Sequence, residues 1–173
     1  VASGVALSSC IAIGKDTLTA VTSADADGTV AIGYQAGKSI TSGQRNTAIG
    51  YQSMLDLQVG DDNTTLGYQA GSNMVAGGVT PSSNTYIGSK SGLYMDDGAN
   101  NTAVGHFSME GNSSEGNDGS ANVAIGLSAL RSLTDGDYNI AIGNYAGDAM
   151  TDNSNNTVVG YYAFTTADSG ENS

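Results

Sequence analysis

Asn46-Thr47-Ala48-Ile49-Gly50-Tyr51-Gln52 recurs with small changes along the whole chain, and its period decides the fold. An aliphatic residue followed by glycine stands at Ile13-Gly14, Ile32-Gly33, Ile49-Gly50, Leu66-Gly67, Ile87-Gly88, Val104-Gly105, Ile125-Gly126, Ile142-Gly143 and Val159-Gly160. Successive glycines are 19, 17, 17, 21, 17, 21, 17 and 17 residues apart, so the unit is 17 residues with insertions up to 21. A unit this short is below the length of helical-hairpin repeats and cannot bury its own apolar face, which predicts stacked β-coils.

Two places before the aliphatic residue the chain carries Ile11, Val30, Thr47, Thr64, Thr85, Thr102, Val123, Ile140 or Thr157, all β-branched. With a spacer between them the two form a period-2 pattern, so each unit opens with a short strand. Exchange of Thr with Val and Ile implies that this position is buried. The spacer is small at Ala12, Ala31, Ala48, Ala103, Ala124 and Ala141, which lets another backbone approach. Small residues recur three places after the glycine, from Thr17 to Ala163. Apolar residues recur seven places after it, at Val21, Ile40, Leu57, Met74, Met95, Leu133 and Met150. A second strand is expected to end near that site. The four-residue insertions, within 75–83 and 113–121, fall at one point of the cycle, as expected of a loop on a solenoid. Asn46, Asn63, Asn84, Asn101, Asn122, Asn139 and Asn156 begin seven units, and equivalent Asn residues in stacked coils predict an amide ladder.

Composition agrees with many short strands and turns: 25 Gly, one Pro and no Trp in 173 residues. A formal charge of -12 with five basic residues excludes nucleic acid and anionic membrane surfaces as partners. No run of 18 apolar residues is present, so no membrane insertion is expected. The single cysteine, Cys10, excludes an intrachain disulfide and falls in the repeat register, which accounts for it without lipid attachment at Leu7-Ser8-Ser9-Cys10. With neither an initiator Met nor a basic leader at its start, the sequence reads as a fragment or processed product. With about three inward aliphatics per coil the core is thin, and association of several chains is the expected remedy.

On the residues Thr29 to Gly37 and Asn46 to Gln52, the chain resembles phage tail-fibre and virion structural proteins rich in Asn-Thr-Ala-Ile-Gly-Tyr-Gln-Ala-Gly. It is also similar to the heads of trimeric autotransporter adhesins, which fold as a left-handed parallel β-roll. The resemblance covers residues 10 to 167, and the longer units favour the phage type. It implies a homotrimer on a virion or another extracellular surface that meets a host cell-surface receptor, including a glycan. The alternative it implies is a bacterial adhesin head. Such fibres often carry a self-cleaving chaperone, and Ser173 would suit that cleavage end as well as it suits a cloned fragment. The expectation is an all-β, parallel β-solenoid (β-roll) of about nine coils. It forms one repeat domain over 1–173, with a C-terminal tail at 168–173.

No enzyme is expected. His106 is the only histidine, no phosphate-cradling or metalloprotease motif occurs, and Asp61-Asp62 and Asp96-Asp97 lie in turn-like segments without Trp for sugar subsites. A glycan-degrading tailspike shares only the architecture. Tyr34, Tyr51 and Tyr68, with Gln35, Gln52 and Gln69 beside them, occupy equivalent places in three consecutive units and form a candidate glycan platform or a packing ladder. Asp25, Asp27, Asp135 and Asp137 stand in Gly-containing turns that resemble fragments of calcium loops. The full loop is missing, so solvated turns are the reading weighed against Ca2+ and no other cofactor is implied. Ice binding would need exposed ranks of Thr, which a buried Thr column does not supply.

Overall fold

The computed structural model describes residues 9–21, 26–75, 80–113 and 117–165. Among them are nine three-residue strands and no helix: β1 Ile11–Ile13, β2 Val30–Ile32, β3 Thr47–Ile49, β4 Thr64–Leu66, β5 Thr85–Ile87, β6 Thr102–Val104, β7 Val123–Ile125, β8 Ile140–Ile142 and β9 Thr157–Val159. They form one parallel sheet in sequence order, a β-solenoid in which each turn of chain adds one strand. Thr47 pairs with Thr64 across a 17-residue unit, and Thr64 pairs with Thr85 across a 21-residue unit. The insertion therefore leaves the register unchanged. Asp25, the tail 168–173 and parts of both insertions lie outside the described residues.

The repeat glycine ends each strand for two reasons. Its φ, +133° at Gly14 and +140° at Gly67, is denied to residues with a Cβ. A Cβ built on Gly67 would also lie 2.5 Å from the carbonyl oxygen of Gly88 in the next coil. Successive coils touch backbone to backbone along this column. Only Gly160, in the last coil, has room, its nearest contact being Ala163 Cβ at 3.8 Å.

The segment after the glycine is not the second β-strand that the apolar spacing predicts. Its backbone alternates, with positive φ two and four residues after the glycine, as at Gln52 (+53°) and Met54 (+54°). It still hydrogen-bonds from coil to coil: Gln52 N donates to Tyr34 O at 2.8 Å, and Met54 N to Ala70 O at 2.9 Å. The wall is a ladder in a non-β conformation. Each left-handed non-glycine residue costs about 1 kcal/mol or more and persists because neighbouring coils hold it on both sides.

The strand faces are opposite to the sequence expectation. The spacers Ala31, Ala48, Thr65, Tyr86, Ala103, Ala124, Ala141 and Val158 are buried, while the flanking β-branched and aliphatic residues point outward. A unit of two short walls encloses a narrow lumen, and alanine is what fits between them. The bulk of the core comes from the column seven residues after the glycine and from a second column, four residues after it, that the sequence reading missed. There Leu18, Met54, Met109 and Leu130 are buried and exchange with Gly37, Gly71, Gly92 and Gly147. Large and small residues compensate across coils. Tyr86 replaces alanine where Gly71 and Gly92 both leave room: a Cβ on Gly92 would lie 2.5 Å from its ring and one on Gly71 3.2 Å.

The amide ladder is present and buried. Asn63 N donates to Asn46 Oδ1 at 2.9 Å, Asn122 N to Asn101 Oδ1 at 2.9 Å and Asn139 N to Asn122 Oδ1 at 2.8 Å. Each amide nitrogen also reaches a loop carbonyl, Asn122 Nδ2 to Gly136 O at 2.8 Å among them. Thr29 and Cys10 fill the same column in the first two coils, donating to Gly43 O and Ala26 O.

Gly67→Ala should destabilise the fold by more than about 3 kcal/mol, whereas Gly160→Ala should cost only the backbone strain of an alanine at a φ of +130°. Thermal melts of the two variants, followed by circular dichroism, check this ordering. The Tyr86 hydroxyl is buried without a hydrogen-bond partner. Asn101, the polar side chain that bears on it, is committed to Gly119 O and Asn122 N. Tyr86→Phe should therefore be neutral or stabilising by up to about 1 kcal/mol, while Tyr86→Ala should cost about 3–5 kcal/mol, both read from denaturant midpoints.

Candidate functional site

The outward side of the strands is the most distinctive surface. One column runs Ile13, Ile32, Ile49, Leu66, Ile87, Val104, Ile125, Ile142 and Val159, and the other runs Ile11, Val30, Thr47, Thr64, Thr85, Thr102, Val123, Ile140 and Thr157. Ile13 is 58% exposed, Leu66 47%, Ile142 40% and Val159 66%. Eight strand spacings of about 4.8 Å give a stripe about 38 Å long. Two columns of side chains make it on the order of 400 Å², near the size at which an exposed apolar patch on a monomer marks an interaction site. The Thr column that was expected to be buried is part of this open face, because the lumen accepts only the spacer side chains.

The predicted tyrosines and glutamines come together. Tyr34 and Tyr51 stack with ring centroids 5.0 Å apart at 24°, and Tyr51 and Tyr68 at 5.5 Å and 19°. Gln52 Nε2 donates to Gln35 Oε1 and Gln69 Nε2 to Gln52 Oε1, both at 3.0 Å. Stacking spends the inner ring faces on neighbouring tyrosines, so a sugar ring would find free aromatic faces only at the ends of the row. The amides are likewise bonded along the row. This arrangement reads as ladder packing. A second stacked pair, Tyr145 and Tyr162 with ring centroids 4.6 Å apart, shares its register with the glutamines.

Of the candidate calcium ligands Asp25 lies outside the described residues, and Asp27, Asp135 and Asp137 fall in two different columns of the repeat. Asp137 Oδ1 accepts from Ser120 N at 2.7 Å, and its own N–H donates to Ser154 Oγ at 2.9 Å. Asp61 does the same for Gln44 N at 2.7 Å. These carboxylates cap the backbone of the preceding coil, and Asp27 stands in the same column. Asp135 lies two residues away in another column, with Asp97, Asp118 and Asp152. Among the described residues no group of three or more His, Cys, Asp or Glu side chains is placed to hold a metal ion, and no helix is long and apolar enough to cross a membrane.

Stacking Asp97, Asp118 and Asp135 at coil spacing places like charges one above another. Burial, reinforced by Asp97 and Asp118, pushes the Asp96 carboxyl up to about 6. Burial, with help from Asp97 and Asp135, also raises Asp118. In the opposite sense, the hydrogen bond from Arg45 holds the Asp62 carboxyl below its usual value.

Comparison of the chain with protein-family models, with curated proteins and with solved structures finds no match.

A carboxyl whose pKa is higher in the folded than in the unfolded state binds its proton more tightly when folded. Between about 4 and 6 the folded protein therefore takes up more protons, and stability rises as pH falls through that window. Asp62 opposes this only as pH falls below the ordinary carboxylate value of about 3.9 toward its lowered pKa. The melting temperature should be higher near pH 5 than near pH 7.5, and added salt should narrow the gap. Melts at the two pH values and at low and high salt check both signs.

Proposed function

We propose that this chain is a rigid segment of an extracellular attachment fibre, built as a homotrimer whose copies meet through the outward aliphatic stripe. The observation that carries the reading is the unbroken row of outward-facing Ile, Leu and Val along all nine coils, half-buried at Ile32, Ile49 and Val104 and exposed at the other six, on a molecule that otherwise keeps a net charge of -12. The whole two-column stripe of about 400 Å² gains up to about 10 kcal/mol per copy if removed from water at about 25 cal/mol per Å², the aliphatic row supplying about half of it. That gain offsets the cost of association. It would also supply the apolar contact that a narrow lumen lacks. The Asn-Thr-Ala-Ile-Gly-Tyr-Gln wording supports a phage-type fibre over an adhesin head. Both readings place the rod outside the cell, with its loops facing a host receptor and with no catalytic step.

Light scattering should give the mass of three chains, unchanged by a chelator, and Ile125→Lys should reduce it to one chain while the β-sheet signal is kept. A wild-type mass of one chain would overturn the fibre. Loss of assembly on chelation would bring Asp27, Asp135 and Asp137 back as metal ligands.

One observation favours a second reading. Thr47, Thr64, Thr85 and Thr102 stand outward on consecutive coils beside Ile49, Leu66, Ile87 and Val104, a flat rank of the kind that ice binding needs. This reading requires the face to stay open. A monomer that shows thermal hysteresis would establish it, and a trimer would remove it.

A further inference from the structure

The buried apolar column seven residues after the repeat glycine is broken once among the described residues, where Asn112 stands exposed in place of Met or Leu. A groove of about 430 Å³ opens at the break, within the range of small-molecule sites. Its walls include Tyr94, Glu110, Asn112, Arg131 and Asp148.

Glu110, Arg131 and Asp148 occupy one repeat position, five residues after the glycine, on three consecutive coils. The order of charge is minus, plus, minus. Arg131 Nε donates to Glu110 Oε2 at 2.7 Å, and its guanidinium carbon lies 5.0 Å from the centre of the Phe107 ring. It is thus fixed from two sides and drawn toward Glu110. Asp148 Oδ1 is buried in the groove wall without a hydrogen-bond partner. A carboxylate oxygen in that state retains an unmet demand for a donor, and a guanidinium with one N–H committed still has others to give. A ligand satisfying both must offer an acceptor and a donor side by side, which is what adjacent hydroxyls do. The three charges sum to minus one on a chain that is itself at -12, so anionic ligands are repelled.

We propose that this groove binds a neutral sugar, with two adjacent hydroxyls bridging Arg131 and Asp148 and the ring lying against Tyr94. The site departs from the repeat where the repeat would otherwise have filled it, as expected of function grafted on a scaffold. Its lining residues lie outside the nine strands, so binding does not depend on assembly through the aliphatic stripe.

Saturation-transfer NMR on the full chain tests this, with the methyl glycosides of glucose, galactose, mannose and N-acetylglucosamine as probes and N-acetylneuraminic acid as the anionic control. At least one neutral glycoside should give signal and the control none. Asp148→Asn should weaken binding about tenfold or more, the scale of a lost charged hydrogen bond. Asn112→Leu, which restores the apolar column and so keeps the coil folded, should abolish it. No signal from any neutral glycoside, a preference for the anionic control, or signal unchanged in both variants would overturn the proposal. So would signal that survives both variants and disappears in Tyr51→Ala, since it would place the sugar on the tyrosine row. The mass of the same samples reports separately on the fibre reading.

Discussion

The contact on which the structure depends is that of one glycine with the carbonyl of the next. From Gly14 to Gly143 the space a Cβ would need is occupied by the main chain of the following coil, so coil spacing is set by backbone against backbone. Side chains of varying size can then be accommodated elsewhere without altering the rise per turn. The inter-coil hydrogen bonds follow from this closeness: Gly67 N to Ile49 O in the sheet, Gln69 N to Tyr51 O in the opposite wall, Asn63 N to Asn46 Oδ1 at the corner. Each coil is thus a template for the next. Local strain at positions such as Met54 and Leu130 is tolerated because the template repeats it.

Features of the sequence that repeat at fixed register were legible. The nine glycines located the nine strands, and the recurring Asn located the buried ladder, because a residue required by every coil leaves a mark nine or seven times over. The direction in which the strand side chains face was not legible. Period-2 alternation says that Thr47 and Ile49 share a side but not which side is in, and the usual rule that aliphatics are buried gave the wrong answer where the lumen is too narrow for them. The core column at Leu18, Met54, Met109 and Leu130 was hidden by its exchange with glycine, which looks like turn sequence until the coils are stacked and each glycine is seen to face a large neighbour. Tyr86 was an exception in its column for the same reason. The capping role of Asp137 was not legible either, because a capping carboxylate and a coordinating one have the same local sequence and the Ser120 N–H that it accepts from lies in another coil. The groove beside Arg131 draws on four coils, and no local stretch contains it.

The molecule also separates its chemistries by column. Aliphatic residues and Thr share the outer strand face, amides and small residues line the corner, and carboxylates gather in the loops, where burial and neighbouring carboxylates raise the pKa of Asp96 and Asp118. This sorting is what a one-dimensional repeat does to any composition. A residue type favoured in one coil becomes a line of that type along the rod, for good in the case of an amide ladder and at some cost in the case of like charges.

The indifference of the register to unit length gives the rod a property of measurement. Thr47 to Thr64 and Thr64 to Thr85 are the same step along the axis although they spend different numbers of residues. Length is therefore counted in whole coils and decoupled from loop content. Duplication of a unit would lengthen the rod by one fixed increment of about 4.8 Å, and enlargement of a loop would alter what it presents without moving anything downstream. Gene rearrangement can thus adjust the reach of such a chain like a ruler with interchangeable markings, each marking free to vary because the scale beneath it is written in glycine.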